Sequence, residues 1–315
     1  MKRQFTAAYV ALAAIASAAP AFAQSANDYL VRLTASDEVP LPGSAFYPEG
    51  IGISSSGDLY VGSLSERRIL RLDRQTRQIE QFSAPDADLL SVIGVHVSKD
   101  DRTVYACSSD PKGVHSGRRS EIVALDIQTG SVVRRAALPE GGLCNDVAEL
   151  EDGTVLVTDS FGGRILALPP QSSALAVWVQ SPEFVGQGFN LNGIVSLGDE
   201  VYAVKYNSGE LFRFSRSQGS TSYEAIQLSR RLNGPDGLEQ IGENRLLVVE
   251  GLTGTISMID VTTGVVSTLA ENLDSPTTAA IHDRYAYVVQ GQLDHFFGMT
   301  QQPPKPFALK RIRLP

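Results

Sequence analysis

Glu49, Asn145, Asn192 and Asp236 stand in the short stretches "YPEGI", "LCNDV", "LNGI" and "GPDGL", each at the entrance of a similar strand unit. Together they supply two carboxylates and two carboxamides. A hard-oxygen set without histidine or thiolate suits Ca²⁺, with Mg²⁺, Mn²⁺ or Zn²⁺ as substitutes. A cation also relieves a conflict: Glu49 and Asp236 held close together would repel until one took a proton, and a divalent charge offsets both. Singly, each stretch is an ordinary turn signal. Their shared register is what points to a site.

That register comes from a repeat. The strands "LYVGS" at 59, "VYACS" at 104, "VLVTD" at 155, "VYAVK" at 201, "LLVVE" at 246 and "AYVVQ" at 286 are each preceded by an apolar segment and a turn. A third strand usually follows, such as "RILRLD" or "TISMID", and often a fourth. Periods of this length signal stacked or circular architecture. The strands are too short and too evenly punctuated for an α/β fold, so the sequence predicts an all-β, six-bladed β-propeller with four-stranded antiparallel blades. A β-sandwich is the competing fold. The last blade lacks a fourth strand, so the segment before the first blade, "DYLVRLTA" at 28–35, is expected to complete it and close the ring.

Aligned on their innermost strands, the entrance positions are Glu49, Ile93, Asn145, Asn192, Asp236 and Thr278. They are followed by Gly50, Gly94, Asp146, Gly193, Gly237 and Ala279, small residues for the most part, as crowding near an axis demands. The ends of the second strands, Ser63, Ser108, Asp159, Lys205, Glu250 and Gln290, return to the same mouth and form a second candidate ring. Within it Ser108, Asp159, Lys205 and Glu250 are candidates for flanking the site or touching substrate, with Lys205 a partner for Asp236, Asp159 or Glu250. His115, in the long loop "SDPKGVHSGRRS", is a candidate to reach over the mouth. His96 and His282 read as core groups. His295, Phe296 and Phe297 lie in the blade-six loop, where aromatics either wall a pocket or pack the loop; Phe46, Tyr47, Phe161, Phe189 and Tyr206 pose the same choice.

The opening "MKRQFTAAYVALAAIASAAPAFA" has basic residues, an alanine-rich apolar run and Ala-Phe-Ala before Gln24, the pattern of a cleaved export signal over residues 1–23. Residues 24–315 are then one propeller domain, secreted or periplasmic. The formal charge of −8 becomes about −10 without Lys2 and Arg3, which argues against nucleic acid and anionic membranes and leaves a small molecule as the expected partner. Nothing sets an oligomeric state. Cys107 and Cys144 would meet an oxidising compartment, either as a disulfide or as two buried thiols.

The four entrance stretches, in the order Glu, Asn, Asn, Asp, resemble the metal-site motifs of the SMP-30/gluconolactonase family, six-bladed calcium-dependent hydrolases related to the diisopropylfluorophosphatase and paraoxonase propellers. The resemblance spans the mature chain. It implies Glu49, Asn145, Asn192 and Asp236 as metal ligands, Asp236 as base or nucleophile with Asn145 beside it in the chemistry, and hydrolysis of a lactone or activated ester. The tryptophan that often follows the first motif in lactonases is absent, and Trp178, the only one, falls in an outer strand. No "GxSxG" elbow suggests a serine hydrolase. Two other readings stay open: a non-catalytic ligand- or partner-binding propeller with a bracing metal, and a biosynthetic enzyme reusing the pocket.

Overall fold

The computed structural model describes residues 37–114, 117–217 and 219–315; the predicted leader and the segment 28–35 lie outside them. Six four-stranded antiparallel sheets follow one another along the chain. Their innermost strands are Pro48–Ile53, Ser91–Val97, Cys144–Glu149, Leu191–Leu197, Pro235–Gly242 and Pro276–His282. Each packs on the next, and the sixth packs on the first, so the ring is closed.

Closure uses the two ends of the described chain. Glu38–Pro40 pairs antiparallel with Ala308–Arg313 and completes blade six. A strand ahead of the first blade thus closes the ring, but it is Glu38–Pro40; the expected segment 28–35 lies outside the described residues.

The sheet interiors explain the sequence pattern. Second strands such as Leu59–Ser63 and Val155–Asp159 are buried along their whole length because neighbouring blades cover both faces, which is why they read as continuous apolar runs. Outermost strands face solvent; Ile79–Gln81 is exposed throughout, and Trp178 lies on another, Ala176–Gln180. Apolar layers fill the spaces between blades. In the layer between blades two and three, Tyr105 and Ile122 meet Val147 and Val157.

Cys107 and Cys144 are joined in that same layer, linking the second strand of blade two to the innermost strand of blade three. Closing a loop of 37 residues removes unfolded-state entropy worth on the order of 3–4 kcal/mol. Reduction is therefore expected to lower the thermal midpoint by roughly 5–7 °C. Scans with and without reductant on the wild type and on Cys107→Ala/Cys144→Ala check this; a reductant-insensitive midpoint would remove the bridge from the stability of the fold.

Candidate functional site

All six innermost strands carry the same irregularity. Pro48 pairs with Ser63 and Ile51 with Val61, so Glu49 and Gly50 together oppose the single Gly62 in a bulge. Equivalent shifts follow Val92, Cys144, Leu191, Pro235 and Pro276. A bulge turns a side chain off the alternation of its strand. Glu49, Asn145, Asn192 and Asp236 are the first bulged residues of their blades, and all four line one cavity of about 410 Å³.

Blade six corrects the sequence alignment by one residue. Its first bulged residue is Thr277, not Thr278, because the pair before the shift is Pro276 with Gln290. Thr277 is fully buried, and its hydroxyl donates to the Glu49 carbonyl at 2.8 Å. Thr278, rather than Ala279, takes the place of the small residue.

Close backbone approach positions the quartet. A Cβ on Gly50 would lie 1.9 Å from the Ile93 carbonyl oxygen, one on Gly94 2.2 Å from that of Asn145, and one on Gly193 2.1 Å from that of Asp236. Blade three has Asp146 here, and its Oδ2 accepts from the Ile194 amide at 3.0 Å instead. Thr158 Oγ1 donates to the Asn192 carbonyl at 2.7 Å.

The four side chains are buried, at 8% (Glu49), 6% (Asn145), 4% (Asn192) and 6% (Asp236) exposure. Burial pushes the Glu49 carboxyl well above its usual range, and the charges of Asp236 and Asp146 push it further. Asp236 is raised likewise by burial and then by Asp146, against a hydrogen bond from Asn192. Asn192 Oδ1 is buried without a hydrogen-bond partner. Two buried carboxyls that the protein alone does not let ionise together, next to an orphaned carbonyl oxygen, fit a hard divalent cation. Among the described residues no three His, Cys, Asp or Glu side chains cluster as a ligand set, so the donors beyond the two carboxylates would be Asn145 and Asn192. No lysine, arginine or histidine among the described residues lines the cavity.

The second ring does something else. Its six members are in register, each paired with the residue before a bulge. Directly paired residues share a sheet face, so these side chains point into the layer between blades while the bulged residues turn to the axis. Ser108 Oγ accepts from the Leu90 amide at 2.8 Å. Asp159 accepts from the Leu143 and Gly162 amides and from Arg164, each at 2.9 Å. Glu250 accepts from the Asn233 amide at 2.7 Å, from Ser257 at 2.6 Å and from both terminal nitrogens of Arg230. Burial would raise the Glu250 carboxyl, but these hydrogen bonds outweigh it and hold it low. Lys205 donates to the Glu183 carbonyl at 2.7 Å and lies 3.9 Å from Glu210, rather than pairing with Asp236, Asp159 or Glu250. None of Ser108, Asp159, Lys205 or Glu250 lines the cavity; they brace main chain around it. His115 lies outside the described residues.

The loop aromatics divide. Phe189, Tyr206 and Phe297 line the cavity, whereas Phe46 is fully buried and Phe296 is buried against Tyr47, with ring centroids 5.7 Å apart. Tyr206 is held protonated, its hydroxyl pushed up to about 12 by burial and then by the charge of Asp236. His295 Nδ1 faces the Gln302 carbonyl at 2.9 Å within the blade-six loop, and His282 contacts Arg74. His96 is half-buried, 3.8 Å from Glu149, in a separate cavity of about 60 Å³ that also holds Asp146 and Glu239. Burial raises Glu239 to about 8, with Asp146 adding to it. Glu239 was detectable in the sequence only as a charge interrupting the blade-five innermost strand.

These features define a class: a closed six-bladed propeller with a buried carboxylate and carboxamide centre near its axis. Residues 92–302 match the PQQ_2 family, described as outer membrane protein assembly factor BamB, and the chain belongs to that family. The matched span starts in blade two and so leaves out Glu49. No curated protein matches the sequence. Solved structures with a similar fold include a gluconolactonase from Xanthomonas campestris, at 16% identity and TM-score 0.64, covering 88% of this chain and 89% of that one. A virginiamycin B lyase from Staphylococcus aureus is similar at 13% identity and TM-score 0.60, covering 88% and 98%. A PQQ-bound aldose sugar dehydrogenase from Streptomyces coelicolor is similar at 15% identity and TM-score 0.58, covering 88% and 97%. At such identities the likeness is one of fold, and these three neighbours are enzymes of different chemistries. Among the described residues no helix is long and apolar enough to cross a membrane.

Proposed function

We propose that the chain is an exported, divalent-cation-dependent hydrolase of the SMP-30/gluconolactonase type that opens a lactone or related ester at Glu49, Asn145, Asn192 and Asp236. The observation that carries this reading is the convergence of those four side chains, from four separate blades, on one cavity where Asn192 Oδ1 has no partner. Ca²⁺ suits the donor set best, with Mg²⁺, Mn²⁺ or Zn²⁺ as substitutes. When bound, such an ion polarises an ester carbonyl and stabilises the developing oxyanion. Asp236 either takes the proton of the attacking water or attacks the carbonyl itself. Asn145 orients the reacting group beside it, and the apolar walls exclude bulk water. Export is supported by the leader-like opening of the sequence and by the Cys107–Cys144 bridge.

A second reading, a non-catalytic propeller that binds a partner and uses the ion as a brace, is favoured by the assembly-factor description of the matched family. One experiment separates the two. Purified protein is expected to open lactones, to lose that turnover on treatment with EDTA and to regain it with Ca²⁺. Turnover indifferent to both chelation and Asp236→Asn would overturn the mechanism. A midpoint raised by Ca²⁺ without turnover of any lactone or ester would favour the second reading.

A further inference from the structure

Beyond the quartet, the walls of the main cavity carry almost no polarity. Leu64, Ile93, Leu143, Phe189, Phe297 and Met299 close around it, brought from blades one, two, three and six and the loop entering blade four. Among the described residues, the one other hydrogen-bonding side chain on the wall is the Tyr206 hydroxyl. A polyhydroxylated ligand would find few partners for hydroxyls that lie away from the quartet, and an anionic substituent there would meet no basic side chain on the described wall.

The approach is apolar as well. Among large hydrophobic side chains left exposed in the described residues, Ile79, Val133 and Val177 sit on outermost strands. The others, Val114, Phe161, Val185, Leu252, Phe297 and Met299, all sit in loops at the cavity end of the propeller. Phe161 stacks on Phe189 with ring centroids 5.7 Å apart, and Phe189 meets Tyr206 edge-on at 5.9 Å, so aromatic surface runs from solvent to the neighbour of Asp236. Exposed apolar surface concentrated at one cavity mouth marks what enters there.

We infer that this site takes uncharged, apolar substrates, lactones or esters bearing alkyl or aryl substituents, and discriminates against sugar lactones. The inference rests on the hydrolase reading for the bond broken and on the cavity walls for the class of molecule. For the Ca²⁺-loaded protein, kcat/KM along a series of alkyl-substituted γ-lactones is expected to rise about fourfold per added methylene until the cavity is filled. Gluconolactone is expected to be turned over at least tenfold less efficiently than the best of the series. Met299 is 73% exposed, so Met299→Asp tests the wall without threatening the fold, and it should cut kcat/KM for long-chain lactones fivefold or more, a larger factor than for the shortest.

Calorimetric titration with two non-hydrolysed ring analogues, an alkyl lactam and gluconolactam, separates the two ideas. Binding of the alkyl lactam, weakened by Met299→Asp, without lactone turnover would uphold the apolar site and sink the hydrolase. Turnover that favours gluconolactone would uphold the hydrolase and overturn the apolar site. Failure of the alkyl lactam to bind, with no turnover of any lactone, would overturn both.

Discussion

Asp236→Asn is expected to lower lactone turnover at saturating Ca²⁺ on the order of 10³-fold, the scale of losing a positioned general base. The same substitution should raise the thermal midpoint of the chelated protein at neutral pH by a few °C. Both effects follow from one arrangement. Glu49 and Asp236 are buried, and each is raised above its ordinary value of 4.5 or 3.8, by burial first and by neighbouring carboxylates next. In the unfolded chain both ionise freely. A raised carboxyl therefore stabilises the fold fully below its unfolded value, and that stability is lost as pH rises through the folded one. Chelated wild type should be relatively stabilised on acidification from pH 8 toward pH 4.5, with Ca²⁺ supplying the missing stabilisation at the alkaline end. Asparagine at 236 removes one charge and should flatten the profile. Melting curves of the chelated proteins across this range decide it; identical pH profiles for wild type and variant would mean that the two carboxylates do not burden the fold.

Gly193→Ala should be nearly as damaging to activity, though it removes no polar group. The added methyl carbon would sit 2.1 Å from the Asp236 carbonyl oxygen and 2.8 Å from the Leu238 amide nitrogen, both of them backbone. A shift of blade five would carry Asp236 with it, and a shift of blade four would carry Asn192. Overpacking that only main chain can relieve costs about 3 kcal/mol or more, and displacement of two members of the quartet should lower turnover at least 100-fold. Gly198→Ala in the same blade is the control. It has open space around the added carbon and only its left-handed backbone, φ +61°, to strain, a cost of about 1–2 kcal/mol. If the two variants match in midpoint and turnover, close blade approach is not what fixes the quartet.

The blades were legible because buried second strands are apolar on both faces and hairpin turns need glycine, aspartate or asparagine, so the period survives as a written pattern. The quartet was legible for a related reason: "PEG", "CND", "LNG" and "PDG" all mark a bulge. In "SPTTAA" the bulge is made of two identical residues, and the sequence has no mark by which to choose Thr277 over Thr278. The second ring was found in register but aimed the wrong way, since the bulge that turns Asp236 to the axis leaves its neighbour Glu250 facing Arg230 and Ser257. The walls were least legible. Phe297 and Met299 reach the cavity from a loop whose course depends on tertiary packing, and Leu143 looks like any other apolar residue before a strand.

The clasp between Glu38–Pro40 and Ala308–Arg313 has a consequence for the order of assembly. The hydroxyl of Thr277 that holds the Glu49 carbonyl is 228 residues away along the chain, and the clasp joins Glu38 to Lys310 across 272. During synthesis the early blades can stack as they emerge, but Glu49 gains its last support only when the sixth arrives. The two mutually repelling acids are thus brought face to face at the end, when the rest of the molecule is already there to bear the strain.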